Sequence, residues 1–359
     1  MRFHFNDDQL EFQRSVRAFL ESECTADDLR NSIETETGRS RERWAKLAEL
    51  GVVGILVPEE HGGLDMTWVD LVLPLEESGR AALPEPLVET AAVAPALLVE
   101  SGNAKLCQTW LPRIAAGKSL VAVGHPINPC VADAHVADLL LLDRGGEIVA
   151  VEPADVRLER QPANDPARRL FRVEIGAGAK PVVVARESKA KGLLDRALDS
   201  AALGTAAQQV GIAQRLVDMA VDYAKARQQF GKPIGSFQAI KHMLASVQVA
   251  IEFARPLLYR AAYSIAAGTP DRSVDVSQAK AASSDAALAA AKAALQVHGA
   301  IGYTWEVDLH FWMKRAWALE AAWGTSAWHR GRVADAVLGG GPAPSFGFQA
   351  SREATDTRR

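Results

Sequence analysis

The chain is predicted to be mainly α with a small β domain: an N-terminal helical domain over 1–117, a middle β module over 118–190 and a C-terminal four-helix bundle over 191–338. Three observations predict this. Helical spacing of apolar residues runs through the first 115 or so positions, short β-prone runs with turn dipeptides follow, and helical spacing then returns and holds to Leu338. At 359 residues the chain is long enough for more than one core.

In the first block, Gln9, Phe12, Val16 and Phe19 recur at three- and four-residue intervals, and Arg43 to Leu50 forms a second amphipathic set ending at Gly51. A loop punctuated by Pro58, Gly62 and Gly63 follows, and helices resume at Thr67–Gly79, Pro86–Gly102 and Ala104–Ala116. The β-prone runs are Ser119–Val123, His135–Leu142, Glu147–Val151, Val156–Arg160, Leu170–Ile175 and Val182–Val184. Asn128-Pro129, Arg144-Gly145-Gly146 and Asn164-Asp165-Pro166 mark turns between them. The bundle is read as Leu194–Gln228, Phe237–Ala267, the alanine-rich Ser273–His298, and Asp308–Leu338 broken near Gly324. Residues 339–359, rich in glycine and charge, are expected to be a disordered tail.

With 48% apolar and 23% charged residues and a net charge of −4, the composition is that of a globular protein. It carries no charge excess that would attract nucleic acid or a membrane surface. No run of about 18 apolar residues is present and the N-terminus lacks a signal-peptide core, so a cytoplasmic location is expected, with neither a membrane nor a nucleic acid as partner. Cys24, Cys107 and Cys130 are widely spaced and read as reduced passengers. His61, His298 and His329 lack companions at ligand spacing and read as packing or loop histidines, with no metal expected. The tryptophans Trp305, Trp312, Trp317, Trp323 and Trp328 read as core and interface residues.

Four ordered segments carry a resemblance. They are Leu50 to Gly63, ending Pro58-Glu59-Glu60-His61-Gly62-Gly63; Glu77-Ser78-Gly79-Arg80; Arg227-Gln228-Gln229-Phe230-Gly231-Lys232-Pro233-Ile234 with Gln238-Ala239-Ile240-Lys241; and Gln296-Val297-His298-Gly299-Ala300-Ile301-Gly302-Tyr303-Thr304-Trp305-Glu306. Together they resemble the acyl-CoA dehydrogenase family over about residues 5–340. The resemblance implies FAD as cofactor, with Arg227, Gln228, Phe230, Gln296, Gly299, Gly302 and Thr325 as its binding residues. Physically, the Arg227 guanidinium is a planar fork suited to a pyrophosphate, near the end of a helix that Phe230-Gly231 would terminate. Gly299 and Gly302 would let backbone N–H groups approach a phosphate. In the family these motifs reach across a dimer interface to the adenosine pyrophosphate of an FAD whose ring lies in the neighbouring subunit.

The chain also departs from the family. The base is typically a glutamate before Gly-Thr, and here Ala321-Ala322-Trp323-Gly324-Thr325 puts Trp323 in its place; an indole cannot accept a proton. Some members carry the base about ten residues before the stretch that here reads Gly211-Ile212-Ala213-Gln214-Arg215, which falls on Ala201. No catalytic residue is therefore assigned. Asp199, Glu306 and Glu320 are near in sequence, but a shift of two or three residues turns a helical side chain by roughly 200–300°. Where the family places hydroxyl-bearing residues against the flavin ring, Leu120 to Glu187 contains no Ser, Thr, Trp or Tyr, and Gly124-His125-Pro126 replaces Thr-Glu-Pro.

One half of a shared flavin site is thus present and the other missing. This resembles the non-catalytic subunit of heteromeric bacterial acyl-CoA dehydrogenases of the steroid side-chain type, and implies a homologous partner carrying the catalytic glutamate, an acyl-CoA substrate and a heterotetramer with two flavins for four chains. Two alternatives stay open: an active homo-oligomer using an unusual base such as Glu320, and a flavin-free structural or CoA-thioester-binding paralogue. The helices Leu194–Gln228 and Ser273–His298 are expected to form the subunit interfaces with their outer faces.

Overall fold

The computed structural model describes residues 4–339; the expected tail therefore lies outside the described residues, apart from Gly339. Helices α1 (Asp7–Glu23), α2 (Ala26–Glu34) and α3 (Arg41–Glu49) open the chain, followed by α4 (Trp68–Arg80), α5 (Ala94–Ser101) and α6 (Ala104–Ala115). Capping boxes start α1, α2 and α4: Asn6 with Gln9, Thr25 with Asp28, and Thr67 with Asp70. The expected helix from Pro86 begins with a wide π turn, Val88–Val93, ahead of α5. Pro95 near the start of α5 has no N–H to offer the preceding turn, which accounts for the altered ladder.

The strands are β1 (Val121–Gly124), β2 (Val131–Ala132), β3 (Leu139–Asp143), β4 (Glu147–Val151), β5 (Val156–Gln161), β6 (Leu170–Ile175) and β7 (Val182–Arg186). They form a four-stranded sheet in the order β1-β3-β4-β7, with β1 parallel to β3, and a three-stranded antiparallel sheet in the order β2-β6-β5. Leu139-Leu140-Leu141-Leu142 is buried throughout because its alternate residues serve two cores. Leu139 and Leu141 join Val121, Val123, Ile148 and Ala150 in the main core, which the N- and C-terminal helices share. Leu140 and Leu142 join Ala122, Val149, Val151 and Phe171 in a small core of the β module.

Helix α7 (Glu187–Ala226) leaves β7 with no connecting residue, turning the corner at Glu187 with φ of 50°; it starts before the expected Leu194 and ends before the expected Gln228. After it come β8 (Gln228–Gln229) and β9 (Lys232–Pro233), then α8 (Gln238–Ala266), α9 (Arg272–His298), α10 (Leu309–Ala321) and α11 (Ser326–Leu338). Helix α4 crosses α7 at backbone contact. A Cβ on Gly79 would stand 2.0 Å from the carbonyl of Gln208, and one on Gly211 would stand 1.8 Å from that of Glu76.

Two of the helices expected at subunit interfaces pack largely within the chain. Helices α7 and α9 lie inside the chain, and their alanines Ala201, Ala206, Ala287 and Ala290 are inaccessible because α4, α8, α10 and α11 cover them. Exposed apolar residues on the outer helices include Val249, Phe253 and Tyr263 on α8 and Trp328, Val337 and Leu338 on α11. None of the described helices is long and apolar enough to cross a membrane.

Candidate functional site

The two segments that the resemblance singles out sit side by side at one end of the bundle. Tyr223, on the last turn of α7, stacks on His298, the last residue of α9, with ring centroids 4.3 Å apart. Arg227 caps α7 in an extended conformation, its N–H donating to the Tyr223 carbonyl at 2.8 Å, and its side chain is exposed. Arg227, Gln228, Gln296 and Gly299 are all exposed, and the Arg227 guanidinium makes no ion pair among the described residues.

Phe230-Gly231 does not end the helix, as the sequence suggested. With φ of 55° and 76° the two form the tight turn of the β8-β9 hairpin, and Phe230 stands 90% exposed at its tip. The reason given for Gly302 is corrected too. It is buried, and a Cβ there would lie 2.9 Å from Leu295 and 3.1 Å from His298, so its missing side chain serves packing onto α9. Gly299 is different: at φ 64° and ψ −141° it holds a conformation open to glycine, with nothing within 4 Å of its would-be Cβ. Thr325 lies apart from this group in the chain, and its hydroxyl caps α11 by accepting from the Trp328 N–H at 3.2 Å.

The opposite half of the site is filled by the chain itself. Trp323 is 2% exposed and holds φ of 58°, followed by Gly324 at 94°. Its backbone N–H donates to Asn128 Oδ1 at 2.9 Å, and its ring lies 5.7 Å from that of His125. The segment at the place of the base and the segment around His125 thus touch each other. Only about 40 Å³ of cavity is left beside Trp323, room for a few waters but not for a flavin ring. Its lining is charged: Glu89, Asp133, Arg39, Arg168 and Arg315. Burial pushes the Glu89 carboxyl up, and the charge of the Arg168 guanidinium pulls it back. Arg39 pairs with Asp133, and Arg168 donates to the Ala318 carbonyl at 2.9 Å. A wider cleft of about 370 Å³ opens on the β module beside Gly124, His125 and Pro126, but no hydroxyl-bearing side chain lines it. His125 is committed locally, with Nδ1 accepting from the Ile127 N–H and Nε2 donating to the Leu194 carbonyl. The residues present therefore do not fit a flavin ring within this chain.

The candidate bases are occupied as well. Glu320 accepts from the Ser326 N–H at 3.0 Å, closing the turn between α10 and α11, and does not line the cavity. Asp199 is buried in a cluster with Ser273, Arg272 and Arg332, while Glu306 is exposed. Ala201 is inaccessible.

Sequence reasoning missed what holds Trp323 in place. Lys280, fully buried, donates to the carbonyls of Leu319, Glu320 and Gly324 at 3.1 Å, and so caps α10 from the side. Burial lowers its ammonium to about 7. His329, also fully buried, donates from Nε2 to the Trp323 carbonyl at 2.9 Å, and its Nδ1 lies 3.1 Å from Ser277 Oγ. Burial pushes its pKa down to about 4, so the native state needs it neutral. Its contribution is complete above the unfolded value of about 6.5 and is lost as pH falls through 4, about 3 kcal/mol in all. His329→Gln is expected to lower stability at pH 7, with the gap to the parent closing as pH approaches 4. Denaturant titrations at both pH values check this, and a constant gap would contradict it.

Among the described residues there is no cluster of three or more His, Cys, Asp or Glu placed to hold a metal. Cys24, Cys107 and Cys130 are free thiols.

The chain matches two family models: the acyl-CoA dehydrogenase N-terminal domain over residues 6–118 and the C-terminal domain over 192–338. It is 33% identical to the acyl-CoA dehydrogenase IpdE2 of Mycobacterium tuberculosis over 292 residues, which cover 80% of this chain and 84% of that protein. Among solved structures, a chain of the ChsE4-ChsE5 complex from Mycobacterium tuberculosis superposes with a TM-score of 0.84 at 24% identity, covering 96% of this chain and all of that one. The Tcur3481-Tcur3483 steroid ACAD superposes with a TM-score of 0.83 at 23% identity, covering 93% and 98%. From both its terminal domains and its similarity to IpdE2, the chain belongs to the acyl-CoA dehydrogenase family.

Proposed function

We propose that this chain is the non-catalytic subunit of a heteromeric FAD-dependent acyl-CoA dehydrogenase that forms an α,β double bond in a bulky CoA thioester of the steroid side-chain type. The carrying observation is the asymmetry of the two half-sites. Arg227, Gln228, Gln296 and Gly299 present an open cationic end to a neighbour, while Trp323, Asn128 and His125 close the place for a ring. In this reading Arg227 holds the pyrophosphate charge, and the Gln228 and Gln296 amides and the Gly299 backbone donate around it. Phe230, at the hairpin tip, lies against the same ligand. When bound, FAD supplies the hydride acceptor, and the partner supplies the glutamate that takes the α-proton. Two solved structures sharing the fold support the reading: one is described as a complex of two named chains, the other as a steroid ACAD. Exposed Val249, Phe253 and Val337 supply apolar surface for assembly.

Co-expression with an adjacent-gene acyl-CoA dehydrogenase subunit is expected to give a two-fold symmetric heterotetramer with two flavins for four chains. A stable monomer that shows no mass shift by light scattering when the partner is added would refute the composite site. In the assembled complex, Arg227→Ala should weaken flavin retention by about 1.5–3 kcal/mol, the range for hydrogen bonds to charged groups. Unchanged FAD affinity would remove Arg227 from the site.

A further inference from the structure

A cleft of about 370 Å³ opens where α1, the end of α4, α7 and the start of α10 meet, well away from the Trp323 segment along α7 and α10. It combines apolar walls with guanidinium groups. Leu20, Ala26, Ala81, Met219 and the buried Trp312 supply the apolar part, while Arg17, Arg80 and Arg215 enter it from three helices.

Most of these charges are matched within their own pairs. Arg17 makes a two-pronged contact with Glu77, at 2.8 and 2.7 Å, and Gln13 also donates to that carboxylate. Arg80 pairs with Asp218 at 2.5 Å, and Asp308 pairs with Arg30. Glu21 is exposed at the rim, where its field falls on Arg17, one helical turn away. Arg215 is left over. Its guanidinium lies 5.4 Å from the centroid of the Trp312 ring and makes no hydrogen bond or ion pair among the described residues. The indole is itself fixed, because its N–H donates to the Arg80 carbonyl at 2.8 Å. A guanidinium laid on an aromatic face keeps its edge donors free, and that edge matches a carboxylate.

Two other open clefts have their arginines paired. In the one beside Asp199, Arg196 pairs with Glu100 and Arg272 with Asp199, and the one along α9 and α11 pairs its arginine, Arg330, with Asp285. Cys24 in the Arg215 cleft is unreactive: burial pushes its thiol up to about 12, and it donates to the Ala81 carbonyl. The cleft is therefore built for binding and not for covalent chemistry.

We propose that this cleft is a second ligand site, for an amphiphilic monocarboxylate whose apolar body lies against Ala26, Ala81 and Met219 and whose carboxylate pairs with Arg215. The site depends on neither flavin nor a partner chain. The probe is 2-naphthoate, with naphthalene-2-carboxamide as its uncharged counterpart, each titrated calorimetrically into the full chain. Saturable binding of 2-naphthoate, and at least about tenfold weaker binding of the carboxamide, is expected from loss of a charged pair. Arg215→Gln should weaken 2-naphthoate by about the same factor and leave the carboxamide unchanged. Met219→Trp, which fills the cleft while leaving Arg215 in place, should abolish binding of both probes. Thermal melts establish that each variant is folded. Absence of binding to the parent at millimolar probe, equal affinity for acid and amide, or unchanged 2-naphthoate binding in either variant would overturn the proposal.

Discussion

Incubated with saturated acyl-CoA thioesters and an electron-accepting dye, the isolated chain is expected to reduce the dye no faster than a protein-free control, and to be colourless on purification. Two independent losses produce this result. The place of the base holds Trp323, whose indole only donates, and the alternative place holds the inaccessible Ala201. Loss of a general base alone typically lowers the rate by about 10²–10⁴. The flavin ring has no bed either, since the space beside Trp323 is about 40 Å³ and the cleft on the β module carries no hydroxyl. Trp323→Glu should consequently restore nothing in the lone chain. Visible absorption after gel filtration and a dye-reduction assay read both losses. Stoichiometric yellow flavin would contradict the missing ring site, and dye reduction abolished by Glu320→Gln would make the chain an active homo-oligomer with an unusual base.

Long-period features were legible before any coordinates. The bundle helices α8 and α9 begin and end within a residue of their expected limits, because their apolar spacing is uninterrupted and Gly268 and Gly299 mark their ends. Strands β4 and β6 match their expected bounds, since turn residues flank both. What escaped depends on single residues or on tertiary partners. Glu187 turns a corner with no glycine, Pro95 converts a turn of helix into a π turn, and the two-residue strands β8 and β9 are too short to carry a period. At the site, the sequence revealed that a base was missing, but not that an indole plugs its place. The contacts that fix this plug come from Asn128, Lys280 and His329, which lie between 6 and 195 positions from Trp323 and share no motif with it. A buried lysine on an alanine-rich helix reads as a solvated charge until the carbonyls it caps are seen.

Replacing Trp323 is expected to produce a stability order that runs against ordinary helix and strand experience, with Trp323→Ala less stable than Trp323→Gly. Either change removes a buried indole, and truncations of large aromatic side chains typically cost about 3–5 kcal/mol. The two variants differ in the backbone. At φ of 58° a Cβ crowds the following carbonyl, at about 1–2 kcal/mol, and alanine retains that strain while glycine relieves it. In the parent the strained turn is held by Asn128 on the Trp323 N–H, His329 on its carbonyl and Lys280 on the carbonyl of Gly324, so the conformation persists after the side chain is removed. Glycine should therefore be the better of the two by about 1 kcal/mol, the entropy it gains on unfolding being smaller than the strain it removes. Denaturant midpoints at pH 7 measure the order directly. Equal loss in both variants would mean that the turn relaxes once the indole is gone, and a more stable alanine variant would mean that Trp323 is not strained at all. Because the indole fixes the segment that in catalytic relatives presents the base, the size of the loss also measures how firmly this chain has traded that position for packing.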